Sequence, residues 1–130
     1  MPSFEHIISE DLRSSLEEDF KEMAVCSKNE AWKATHVLSG SIREAVLIDY
    51  LVSEKYITHE EGLALDFGKA LTLCKDKKII SPKTSDLSSV VKEYRNLIHP
   101  GRMIRLKQKV TKDTATVALA LVDIITREIS

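Results

Sequence analysis

Apolar residues recur at helical spacing along most of the chain, and short polar clusters cut the pattern into segments. Phe4, Ile8, Leu12, Leu16, Phe20 and Met23 draw one stripe with acids on the opposite face, which predicts a first helix from about Phe4 to Cys26. Ser27-Lys28-Asn29 interrupts it, and Asn29 is placed to N-cap the next helix. Ala31, Ala34, Leu38, Ile42, Ala45, Ile48 and Val52 carry that second helix from about Glu30 to Lys55. Ser39-Gly40-Ser41 in its middle lowers helix propensity, but small residues let another helix, or another subunit, approach closely.

Thr58-His59-Glu60-Glu61 reads as a capping box opening a third helix through Leu63, Ala64, Phe67, Leu71 and Cys74. Ile79-Ile80-Ser81-Pro82 reads as a connector. A fourth helix begins near Ser85 or Asp86, with Leu87, Val90, Val91, Tyr94 and Ile98 as its stripe. Pro100 disfavours helical geometry at the residue before it, so this helix is expected to end at His99. Residues 102–110 alternate basic with apolar, a period of two that predicts an extended or β-like loop. Thr111 or Asp113 opens a last helix to Ile129, whose Ala115, Ala118, Leu121, Val122, Ile125 and Ile129 mark it as central. The whole chain, residues 1–130, reads as one all-α domain: a bundle of four long helices plus one or more short elements.

The fourth helix carries the main chemical feature. Arg95-Asn96-Leu97-Ile98-His99-Pro100 places a permanent cation, an amide and an imidazole on one turn. At about 100° per residue, Arg95 lies roughly 80° from Leu87 and His99 roughly 120° from it, on one flank of the stripe. Being four apart, their side chains can meet over one site. The helix C-terminus raises the histidine pKa and the arginine lowers it. Structural roles suit the same residues. Arg95 can pair with Glu93 or Glu44, and His99 can cap the helix by bonding its last carbonyls.

Charge strengthens the case for an anionic partner. Residues 1–30 hold eight acids and three bases, net −5, whereas residues 69–112 hold twelve bases and three acids, net +9. The basic half surrounds the Arg-His cluster and includes Arg102, Arg105, Lys107 and Lys109, the residues best suited to contact RNA phosphates. The four histidines are scattered without zinc-like spacing, so neither a metal site nor a cofactor is expected. Cys26 and Cys74 read as free thiols in a cytoplasmic protein. The N-terminus lacks the pattern of a signal peptide, and no apolar run reaches the ~20 residues of a membrane span.

Two stretches, His36-Val37-Leu38-Ser39-Gly40-Ser41-Ile42-Arg43-Glu44-Ala45 and Glu93-Tyr94-Arg95-Asn96-Leu97-Ile98-His99-Pro100, followed by an apolar final helix, resemble the HEPN superfamily. The second stretch is the diagnostic one. The resemblance implies a helical bundle that dimerises. It also implies a metal-independent RNA endonuclease of the toxin or antiphage-defence type, with an antitoxin or defence-system protein as possible partner. By position in the motif, Arg95, Asn96 and His99 would be the catalytic set, and Glu44 a candidate to orient Arg95. The alternative is a non-catalytic module of the same shape that binds RNA, a nucleotide or a protein.

Overall fold

A computed structural model describes residues 2–91, 101, 104 and 110–130, and six helices lie among them. In chain order they are α1 (Glu10–Lys28), α2 (Trp32–Ser53), α3 (His59–Ala64), α4 (Phe67–Asp76), α5 (Pro82–Val91) and α6 (Lys112–Ile129). No strand occurs among the described residues, so the all-α expectation holds for them. None of the described helices is long and apolar enough to cross a membrane.

Polar side chains set most helix starts. Ser9 caps α1 by accepting from Leu12 N, and Glu10 and Asp11 favour the positive end of the dipole. The Ser9 cap moves the start of the first helix from Phe4 to Glu10. Phe4 and Ile7 still enter the core, but from a non-helical strap, and Ile8 is left 84% exposed. Asn29 does not cap α2. It closes α1 instead, its Nδ2 donating to Val25 O at 2.9 Å, and Glu30 follows in the left-handed region. The Thr58 capping box is present in full, with Glu61 bonding back to Thr58 N. Hydrogen bonding from the Thr58 backbone N–H, then from its side chain, holds the Glu61 carboxyl below its ordinary value.

The expected third helix is two helices. Asp66 accepts from Lys69 N at 2.8 Å and starts α4 afresh, because a good N-cap inside a helical pattern ends one helix and begins another. α5 begins at Pro82, not at Ser85. Proline is at home in a first turn, where its missing N–H is not needed, and Ser81 Oγ accepts from Thr84 N. Ile104 is helical, contrary to the extended loop expected over 102–110, and Gly101, expected in a turn, is helical too, while Val110 is not. α6 opens at Thr111, one of the two starts expected, with a capping box to Thr114.

α2 is the structural centre, buried on two faces. α1 and α3 lie on one side and α6 on the other, while α4 and α5 complete the second layer. The core joins Phe4, Ile7, Leu16 and Met23 to Ile42, Val46, Leu47 and Leu51 of α2, Phe67, Leu71 and Cys74 of α4, and Val122, Ile125 and Ile129 of α6. Burial pushes the Cys74 thiol up to about 12, so it packs as a small apolar group. Ser39 and Gly40 are buried, and α6 approaches closely enough for Ser39 Oγ to donate to Ala118 O at 2.6 Å. That small-residue patch is thus used inside the chain, against α6.

Gly62 of α3 faces α2. A Cβ there would meet Val52 Cγ2 at 2.9 Å and Ile48 Cγ2 at 3.3 Å. Both neighbours are β-branched and stiff. Gly62→Ala is therefore expected to destabilise the fold by about 1 kcal/mol, overpacking exceeding the gain in helix propensity. Urea unfolding of the two proteins measures this.

Candidate functional site

α2 carries polar residues on the face it turns toward α6. Thr35, His36, Ser39 and Arg43 are spaced one, three and four apart, which places them on one side of a helix. Thr35 Oγ1 donates to Ala31 O at 2.9 Å. His36 Nε2 lies 2.9 Å from Thr114 Oγ1 at the start of α6. Arg43 Nε donates to Ser39 Oγ at 3.0 Å and to Ser39 O at 3.3 Å, and its guanidinium stands 5.1 Å from the centre of the Phe67 ring. Arg43 is 0% exposed, the largest fully buried side chain described.

The seam continues between α5 and α6. Thr84 Oγ1 donates to Glu128 Oε1 at 3.1 Å, and Ser81 Oγ donates to Thr84 Oγ1 at 2.9 Å. Ser85 and Ser88 are buried on the same side of α5, and Ser88 Oγ has no hydrogen-bond partner among the described residues. Leu87, expected in the buried stripe, is 40% exposed. Thr84, Ser85 and Ser88, which apolar spacing does not select, are thus buried on α5.

Burial, then the nearby Arg43 charge, lowers the His36 pKa below its ordinary value of 6.5. The unfolded chain therefore binds a proton more readily than the folded one. Stability is full above about pH 6.5 and falls as pH drops through the folded value. Denaturation at about pH 7.5 and pH 5.5 is expected to show a loss that is smaller in His36→Gln than in the parent.

Arg95, Asn96, His99, Arg102, Arg105, Lys107 and Lys109 lie outside the described residues. Glu44 is described. It is half-buried beside Arg43 and lines a cleft of about 540 Å³ between α2, α1 and α3, together with Ser41, Asp49 and His59. Arg43 and His36 were not among the residues singled out from sequence. Their signal was present: His36, Ser39 and Arg43 share a helical face in the same stretch that resembles the family motif. Sealed from solvent, Arg43 binds no diffusing substrate; it ties α2 to α4.

Among the described residues no cluster of histidine, cysteine or carboxylate has the makings of a metal site. Comparison with family models, curated proteins and solved structures finds no match to this chain.

Proposed function

We propose that this chain is a HEPN-like, metal-independent RNA endonuclease of the toxin or antiphage-defence type, acting in the cytoplasm as a homodimer. The observation that carries the reading is the sequence Arg95-Asn96-Leu97-Ile98-His99-Pro100 inside the strongly basic region 69–112. The all-helical architecture supports it.

In this reading the 2′-hydroxyl of the RNA is the nucleophile. It attacks the adjacent phosphorus, its proton goes to a base, and the departing 5′-oxygen takes a proton from an acid. Histidine titrates near neutrality and suits either role. The Arg95 guanidinium stabilises the charge that grows on the phosphorane oxygens. Asn96 orients the imidazole or binds phosphate. One histidine does not readily serve as both acid and base, and a dimer that apposes two clusters provides both. Arg102, Arg105, Lys107 and Lys109 hold the RNA backbone, and an antitoxin or defence-system protein would be the partner that restrains the activity.

A second reading, a HEPN-like module that binds RNA, nucleotide or protein without cleaving, is favoured by one feature. Three residues separate Arg95 from His99, fewer than is usual in that family. Expression in a bacterial host distinguishes the two readings. Growth arrest relieved by Arg95→Ala supports the nuclease. Normal growth with RNA that is retarded on a gel but intact supports the binding module.

A further inference from the structure

The polar seam between α2 and α6 is closed at one end by a titratable side chain. Two described side-chain hydrogen bonds cross it. Ser39 Oγ donates to Ala118 O at 2.6 Å, and His36 Nε2 lies 2.9 Å from Thr114 Oγ1. A serine hydroxyl keeps its proton at any ordinary pH, whereas an imidazole gains one near neutrality. His36 is only 6% exposed, so its charge state matters to the packing around it.

Thr114 organises the start of α6. Its Oγ1 accepts from Thr111 N at 3.1 Å and donates to Thr111 O at 3.2 Å. With its one hydrogen directed to Thr111 O, the bond to His36 is donated by the ring. A second proton makes that ring a cation in an unfavourable place. Arg43 lies two turns along the same face of α2, fixed by Ser39 and the Phe67 ring. The positive end of the α6 dipole stands on the other side. Lys112 and Asp113 of that first turn are exposed and opposite in charge. Arg43 is the charge that acts on the ring, and no described group of α1, α3, α4 or α5 offsets it.

We propose that His36 is an acid-sensitive latch on the start of α6: the neutral ring holds Thr114 in the seam, and the imidazolium leaves it, freeing the first turns of α6 while the rest of the bundle stays packed. The later turns of α6 are held by Leu121, Val122 and Ile125, buried aliphatics that do not respond to pH. Thr111 comes two positions after Lys109, so the loosened turn is the one that follows the basic segment in the chain. The latch operates whether or not the chain cleaves RNA. Its direction follows from linkage. The open form takes up a proton at the ordinary histidine value of 6.5, and the closed form does so less readily. Opening is therefore rare above about pH 6.5 and grows as pH falls.

Amide hydrogen exchange of the full chain, followed by NMR at about pH 7.5 and about pH 5.5 and corrected for the intrinsic pH dependence of exchange, tests this. The probes are Ala115, whose N–H bonds to Thr111 O, and Ala118, both buried in the seam. In the parent their opening is expected to grow several-fold on acidification, up to about tenfold, the limit for one proton taken up one unit below the ordinary value. Amides in the second half of α6 are expected to change less than about twofold. His36→Gln keeps an amide donor toward Thr114 and takes up no proton, so the growth at Ala115 and Ala118 should vanish. Circular dichroism confirms that this variant folds. The His36 ring titration in the parent needs no variant, and its midpoint is expected below 6.5. Opening that is equal at both pH values, that spreads evenly along α6, or that persists in folded His36→Gln overturns the proposal, as does a ring titrating at or above 6.5.

Discussion

Replacing His99 with alanine is expected to slow RNA cleavage by about 10²–10⁴-fold, the range that a positioned general acid or base contributes. On the proposed mechanism the loss should fall on the chemical step, with RNA affinity little changed, because the basic residues proposed to hold the phosphates remain. Arg95→Ala is expected to cut the rate to a similar degree by removing the donors proposed to meet the phosphorane oxygens. Arg95→Lys should recover only part of it, since an ammonium lacks the fork. Single-turnover rates on a short RNA in chelator, set beside gel-shift affinity, separate the two quantities. A His99→Ala protein that cleaves at the parental rate would remove this mechanism.

The largest structural effect is expected at Arg43. Its side chain is fully buried, bonded to Ser39 and stacked on Phe67, so it joins α2 to α4. Arg43→Ala leaves a cavity in the second layer and removes the contact with Phe67. A loss of about 3 kcal/mol follows, enough to lower Tm by on the order of 10 °C. Arg43→Met fills most of the volume and buries no charge, so it should lose much less. Differential scanning calorimetry of the three proteins checks the order: parent, then Met, then Ala. Equal melting of Ala and parent would mean that the arginine is not part of the core.

The apolar pattern made α6 legible, because all six residues of its expected stripe are buried; it found α2 as a helix, but of the stripe expected there only Ile42 is fully buried. It failed at the chain start, where Phe4 and Ile8 fit a helix but Ser9 begins it, leaving Ile7 inside and Ile8 outside. On α5 it failed at Leu87, which is exposed, and passed over Thr84, Ser85 and Ser88, which are buried. A stripe drawn only through apolar residues misses a face packed with hydroxyls. The same bias hid His36 and Arg43, which α2 buries on its second face among partners from α6 and α4. Asp66 shows a further blind spot. A cap signal inside an uninterrupted pattern is easily read as surface polarity, yet it splits one helix into two. Of the candidate site, only Glu44 lies within the described residues, at a cleft whose Asp49 no motif singled out.

The most direct measurement is the chemistry of the RNA ends. Purified protein and a short labelled RNA are combined in excess chelator, and the products are resolved by mass spectrometry. The proposed mechanism predicts fragments ending in a 2′,3′-cyclic phosphate and beginning with a 5′-hydroxyl, because the 2′-oxygen is the nucleophile and the 5′-oxygen leaves. Fragments bearing 3′-hydroxyl and 5′-phosphate ends, or RNA that stays intact while bound, would contradict it.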